Sequence, residues 1–214
     1  MKDLRKNAIC SIIVKCLLVC SVVSGLVMVD EIGMAVQRIK KFSDNLGLNI
    51  TKLATSGYSA GAHLSALYAY SRADESPIKI VFTANRVAPS DFHPESWDDV
   101  YGEGAAYNIA SGLAGVKITP EMIADGSAEA VVNSVSPAYF VNENSVPTIA
   151  GFGGNDTTVP AGNAKAMKEA LEKSGIDYTY IYYPNSSHML FEDYLQSYLY
   201  DKTVNDYLLK YFGY

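Results

Sequence analysis

Residues 57–61 of the sequence, GYSAG, have the form of a nucleophile elbow, a motif that presents a serine hydroxyl for nucleophilic attack. Residues 52–56 (KLATS) are typical of a short buried strand, and residues 60–70 (AGAHLSALYAY) are rich in good helix formers. A strand that turns sharply into a helix strains the backbone of the serine and exposes its hydroxyl at the helix N-terminus. Glycines at both ends of the motif are expected to avoid collisions of a Cβ atom with the neighbouring strand or helix. The pattern predicts that Ser59 is a nucleophile.

A serine hydroxyl is a poor nucleophile at neutral pH, so Ser59 needs a base. The chain has three histidines. His188 follows the strand-like run 178–183 (YTYIYY), and a loop after a buried strand is where a rigid sheet can present a base. His63, one helical turn beyond Ser59, is expected to pack or to make a polar contact, and His93 is expected at the surface in an irregular polar segment. His188 is therefore the predicted base.

The acid that orients the base is predicted at Asp156, within residues 151–160 (GFGGNDTTVP). An apolar strand-like run over residues 147–152 leads into this turn, which is rich in glycine and asparagine. A carboxylate that accepts the imidazole N–H would fix its tautomer and stabilise the imidazolium ion. In the alternative interpretation, Asp156 satisfies only local backbone N–H groups in an Asx turn. Asp91, which follows a strand-like run over residues 78–83, is the rival acid.

These segments resemble the α/β-hydrolase superfamily, in particular the small bacterial carboxylesterases grouped with acetyl-esterases and feruloyl-esterase-like enzymes. The resemblance extends from about residue 30 to the C-terminus and depends on GYSAGAH, SPAY, GGNDTTVP and NSSHML. It implies Ser59 as nucleophile, Asp156 as acid and His188 as base, in the order along the chain that this superfamily uses. It also implies a small-molecule ester substrate, one oxyanion donor in the backbone N–H of Ala60, and no metal or organic cofactor.

Two features depart from the pattern of the family. The acid loop usually begins with a His-Gly pair, whereas this chain has GFGG at residues 151–154. The oxyanion loop, a His-Gly-Gly type motif upstream of the elbow, is not found in the sequence. There is also little room for the strands that ordinarily open the fold. We therefore expect an N-terminally incomplete esterase. The alternatives are a weakly active or non-catalytic hydrolase-fold protein and a peptidase of the same fold.

The composition predicts a single domain over residues 1–214, since 49% of the residues are hydrophobic and can bury one substantial core. The net charge of −6 argues against nucleic acid as a partner. Strand-like and helical segments alternate as in a three-layer α/β sandwich with a mostly parallel sheet. Helices are expected from Asp30 to Gly47, over residues 161–174 and over residues 191–211. Residues 90–133 are expected to form an irregular cap or insertion.

The apolar segment 8–29 contains all three cysteines, which are expected to be buried thiols rather than disulfide or metal sites. Basic residues precede it, as in a signal peptide or membrane anchor, and the protein would then be secreted. However, Lys15 interrupts the segment at a cost of about 3 kcal/mol in a membrane centre, and no clean cleavage site follows. We favour a buried strand over residues 10–14 and a cytoplasmic protein. Such a strand would leave an exposed sheet edge, through which copies of the chain could associate.

Overall fold

A computed structural model of the protein describes residues 24–213. The strands in this range are β1 (Lys52–Tyr58), β2 (Lys79–Arg86), β3 (Thr148–Gly153) and β4 (Tyr178–Tyr183). The helices are α1 (Gly25–Asn45), α2 (Ala60–Ser71), α3 (Asp98–Tyr101), α4 (Ala105–Ala114), α5 (Pro120–Asp125), α6 (Ala128–Val135), α7 (Pro137–Phe140), α8 (Ala161–Ser174) and α9 (Tyr194–Phe212). Neighbouring strands are parallel and follow the chain order, β1-β2-β3-β4.

Helices cover both faces of the sheet, so the fold is a three-layer α/β sandwich. On one face α1, α2 and α8 pack through buried side chains that include Val36, Leu67 and Met167. On the other face α9 packs through Tyr200 and Tyr207. Strands that are buried on both faces read as continuous apolar runs, and every residue of β3 is buried accordingly. The α/β fold predicted from the sequence is confirmed.

Strand β1 lies at the edge of the sheet in the part of the chain that the structure describes. It pairs with β2, and each of its residues is exposed or half-buried. The strand predicted over residues 10–14 lies outside the described residues. Association of copies of the chain through that strand therefore stays a prediction.

Helix α1 begins earlier than the sequence predicted. Its N-cap is Ser24 rather than Asp30, because the Ser24 hydroxyl accepts a hydrogen bond from the Val27 N–H. The apolar face of the helix extends to the N-terminal side of Asp30, where Val29 is fully buried. The helix ends at Asn45, and Gly47 follows with a φ of 69°, as is typical after a helix. Within residues 24–213, no helix combines the length and apolarity needed to cross a bilayer.

Residues 90–133 are largely helical, which corrects the prediction of an irregular segment. They contain α3, α4, α5 and most of α6, and together they bury an apolar cluster. Its buried members are Phe92, Trp97, Ala106, Ala110, Val132 and Val135. The glycines that suggested irregular structure cap short helices, since Gly104 and Gly115 flank α4 in the left-handed conformation. The Tyr101 hydroxyl donates a hydrogen bond to the Thr158 carbonyl at 2.9 Å, so this segment touches the loop after β3. Its function as a cap stays a prediction.

Candidate active site

Ser59 occupies the sharp turn between β1 and α2. Its φ of 54° and ψ of −124° are unusual for a residue with a side chain, so the backbone is strained at this residue. Two backbone hydrogen bonds keep Ser59 in this conformation. The Ser59 N–H donates to the Arg86 carbonyl of β2 at 3.0 Å, and the Ser59 carbonyl accepts from the His63 N–H of α2 at 3.0 Å. The predicted strand, turn and helix are confirmed, with Ala60 as the first residue of the helix.

The two glycines of the elbow have different roles. A Cβ atom on Gly57 would lie 2.2 Å from the Gly61 carbonyl oxygen, which no side-chain movement could relieve because the obstacle is backbone. Apart from its two chain neighbours and the backbone of its own helix, a Cβ atom on Gly61 would meet no atom of the described residues within 4 Å. The prediction that both glycines avoid a collision is therefore right for Gly57 and wrong for Gly61.

We expect Gly57→Ala to lower the free energy of unfolding by about 3 kcal/mol or more, because the strand and helix must move apart to admit the methyl group. Gly61→Ala is the matched control. It should change the free energy of unfolding by less than about 1 kcal/mol, since alanine favours a helix over glycine. Urea unfolding of the two variants measures the difference, and equal stability of both would contradict the packing argument.

The structure brings Ser59, His188 and Asp156 together. The Nε2 atom of His188 lies 2.8 Å from the Ser59 Oγ, and its Nδ1 atom lies 2.8 Å from the Asp156 Oδ2. The Asp156 side chain is only 3% exposed and that of His188 is 18% exposed. The other carboxylate oxygen of Asp156 accepts the N–H groups of Thr158 and Val159, at 2.8 and 2.9 Å. One carboxylate oxygen of Asp156 thus faces His188 and the other satisfies the local backbone N–H groups, so the interpretation of Asp156 as an Asx-turn residue alone is wrong. Its role as the acid of the site stays a prediction.

The glycines that replace the family's His-Gly pair allow the loop after β3 to approach the loop after β4. A Cβ atom on Gly153 would lie 2.6 Å from the Ser186 carbonyl oxygen, and one on Gly154 would lie 2.7 Å from that of Pro184. The next residue joins the loops, since the Asn155 N–H donates to the Ser186 carbonyl at 2.9 Å and its side-chain amide donates to the Asn185 carbonyl at 3.0 Å. The loops that carry Asp156 and His188 thus form one hydrogen-bonded unit.

A buried carboxylate that the sequence analysis did not single out organises the loop that carries His188. Asp193 accepts hydrogen bonds from the Asn185 N–H, the Asn185 amide and the Ser186 hydroxyl, at 2.9, 2.9 and 2.6 Å. Burial opposes ionisation, but these hydrogen bonds outweigh it and lower the pKa of Asp193. Leu190 has a φ of 57° and is buried, which adds a second constraint on the loop. No local signal distinguishes Asp193 from an ordinary acidic residue before a helix.

The rival acid, Asp91, is engaged elsewhere. His93 Nδ1 lies 2.6 Å from one of its carboxylate oxygens, and the Ser96 hydroxyl donates to the other. Although burial opposes ionisation, the hydrogen bonds from His93 and Ser96 lower the pKa of Asp91, and the same pairing raises the pKa of His93. His93 is thus half-buried beside the Asp91 carboxylate, where the sequence predicted a surface residue. The structure does not bring Asp91 to His188.

His63 packs inside the protein, as predicted. Its Nε2 atom lies 2.8 Å from the Val135 carbonyl oxygen, and its ring contacts Phe92 edge-on with 5.3 Å between ring centres. Burial lowers the pKa of His63 to about 4, because the charged imidazolium would lose its hydration. Among the described residues, no group of three or more histidine, cysteine or acidic side chains could hold a metal ion.

The low pKa of His63 predicts that acid destabilises the fold. The unfolded chain binds a proton near pH 6.5, whereas the folded chain does so only near pH 4. The contribution of His63 to the free energy of unfolding is therefore full above pH 6.5. It decreases as the pH falls, by about 3 kcal/mol at pH 4. In His63→Gln, which can still donate to the Val135 carbonyl, this dependence should be absent. Urea unfolding between pH 4 and 7 tests the difference, and parallel pH profiles would contradict it.

A sequence model of the BD-FAE family matches residues 27–171, more than half of the chain and including the elbow. The chain belongs to the BD-FAE family. This family is a group of esterase-like α/β-hydrolases, so the superfamily predicted from the sequence is confirmed. A search of curated proteins finds no match to the chain.

Several solved structures share the fold of this BD-FAE family member. A truncated carbohydrate esterase from gut microbiota has a TM-score of 0.66 and 16% identity, over 84% of this chain and 68% of that one. Esterase Est2 of the planctomycete Thermogutta terrifontis has a TM-score of 0.63 and 19% identity, over 88% and 65%. A puromycin-hydrolysing peptidase of Mycobacterium tuberculosis has a TM-score of 0.65 and 20% identity, over 89% and 26%. The chain spans about two thirds of the length of the two esterases.

Proposed function

We propose that the chain is a serine esterase that hydrolyses small carboxylic esters with Ser59, His188 and Asp156. The observation that carries the proposal is the continuous path of short contacts from the Ser59 Oγ through the imidazole to a buried carboxylate, at 2.8 Å for each link. A nucleophile, a base within hydrogen-bond reach and a group that orients the base are the components that activate a serine.

In the first half of the reaction, the Ser59 Oγ attacks the ester carbonyl carbon while His188 Nε2 takes the hydroxyl proton. The tetrahedral intermediate then collapses, and the bond from carbon to the alcohol oxygen breaks. The alcohol leaves with the proton from Nε2, and an acyl-serine remains. In the second half, water attacks the acyl carbon by the same route and releases the carboxylic acid. Asp156 accepts the Nδ1–H throughout and stabilises the imidazolium.

The backbone N–H of Ala60 is proposed as a donor to the oxyanion. Ala60 is the first residue of α2, and the first N–H groups of a helix have no acceptor within the helix. The partial positive charge of a helix N-terminus favours the negative oxygen that develops beside Ser59. One such donor typically contributes about 3–4 kcal/mol to the stability of the intermediate.

Family membership favours an ester over an amide as the substrate bond. The fold alone does not distinguish an esterase from a peptidase, because this chain resembles one of each to a similar degree. The BD-FAE match covers the elbow and the acid loop, and that family is esterase-like.

Reaction with a fluorophosphonate probe tests the proposal directly. The probe phosphonylates an activated serine, and mass spectrometry of the digested protein identifies the modified residue. We expect modification at Ser59, together with hydrolysis of p-nitrophenyl acetate. Absence of labelling in a folded sample that also fails to hydrolyse the ester would refute the proposal and favour a non-catalytic hydrolase-fold protein.

A further inference from the structure

Tyr58 lies between Gly57 and Ser59 and has no part in the mechanism above. Its hydroxyl donates a hydrogen bond to the carbonyl oxygen of His188 at 2.5 Å. Its ring also meets the imidazole edge-to-face, with 5.9 Å between ring centres and 79° between ring planes. One side chain thus contacts both the main chain and the side chain of the base.

The base has no regular structure of its own to hold it. His188 lies between the end of β4 and the start of α9, in a segment with neither helix nor strand. Asp193 and Ser186 fix the root of this loop. In the described part of the chain, the His188 carbonyl accepts its hydrogen bond from the Tyr58 hydroxyl. The tip of the loop is thereby attached to the sheet.

The attachment point belongs to the sheet and is adjacent to Ser59 in the chain. Tyr58 is the last residue of β1 and pairs with Arg86 of β2, whose carbonyl also accepts the Ser59 N–H. Partial burial and the negative charge of Asp156 raise the pKa of Tyr58, so its hydroxyl stays protonated and able to donate near neutral pH. Two consecutive residues therefore position the two reacting groups: Ser59 bears the nucleophile and Tyr58 holds the base.

We propose that Tyr58 is a positioning residue that sets the distance and orientation of His188 relative to the Ser59 hydroxyl. The inference rests on the proposed esterase function. A reacting group displaced by about 1 Å can lose about 10²-fold in rate. Loss of the Tyr58 contacts should therefore slow proton transfer from Ser59 without weakening substrate binding.

The test compares Tyr58→Phe, which keeps the ring and removes the hydroxyl, with Tyr58→Leu, which removes both contacts. We expect kcat for p-nitrophenyl acetate to fall by about tenfold in the first variant and by about 10²-fold in the second, with KM within about twofold. The rate of fluorophosphonate labelling at Ser59 should fall by the same factors. Tyr180→Phe is the matched control, since it removes a hydroxyl that donates to the Ala164 carbonyl and does not touch His188.

The experiment distinguishes failure of the Tyr58 inference from failure of the esterase proposal. If the parent chain labels and turns over, but Tyr58→Phe does so at a rate within twofold of the parent, Tyr58 has no positioning role. A rise in KM with unchanged kcat would also overturn the inference, because it would indicate a contact with substrate. If the parent chain neither labels nor turns over, the esterase proposal fails first. Unfolding midpoints of all variants, measured at the assay pH, identify any loss that arises from unfolding.

Discussion

Ser59→Ala is expected to reduce turnover of p-nitrophenyl acetate to the uncatalysed background, a loss on the order of 10⁶-fold for an active parent. In the proposed mechanism the Oγ atom forms the bond to the acyl carbon, so its removal leaves His188 with no serine hydroxyl to activate. By comparison, one lost oxyanion donor costs roughly 10²–10³-fold. The variant should keep the fold, because the hydroxyl makes its hydrogen bond to His188 and caps no backbone group of α2.

Ser56→Ala is the matched control for this experiment. Ser56 is an exposed serine on β1, the strand that leads into the elbow, three residues before Ser59. Its replacement should leave both turnover and labelling unchanged. Hydrolysis by Ser59→Ala at the parent rate would show that Ser59 is not the nucleophile.

Asp156→Asn is expected to lower turnover on the order of 10⁴-fold, since an amide cannot hold His188 in the tautomer that accepts the serine proton. The loss should not add to that of Ser59→Ala, because residues that act as a unit fail together. The double variant should therefore be no slower than Ser59→Ala alone. Steady-state kinetics of the two single variants and the double variant measure these effects.

Asp91→Asn discriminates between the two candidate acids. Its carboxylate bonds His93 and Ser96, so we expect turnover close to that of the parent and, at most, some loss of stability. Thermal unfolding of the variant separates the two kinds of effect. A severe loss of turnover in Asp91→Asn, with Asp156→Asn near the parent rate, would reverse the assignment.

The short segments around the site could be predicted from local patterns. The strand before Ser59 and the helix after it follow from apolar residues, good helix formers and the turn chemistry of glycine. The same is true of α8 and β4, whose bounds in the structure, Ala161–Ser174 and Tyr178–Tyr183, coincide with the predicted ones. Prediction was poorer over residues 90–133, where short helices with glycine caps resemble loops in composition.

What the sequence by itself determined is the position of the elbow serine, the parallel α/β fold and the chain order of the three residues that meet at the candidate site. These depend on neighbours in sequence and on the rule that the ends of parallel strands meet at one edge of the sheet. Only the tertiary structure decided which carboxylate reaches His188, that Asp193 anchors the loop that carries His188 and that Tyr58 contacts His188. The partners in these contacts lie far apart in the chain, as with Tyr58 and His188 at a separation of 130 residues. Hydrogen bonds over such separations depend on how loops from different strands pack, and local sequence patterns do not specify that packing.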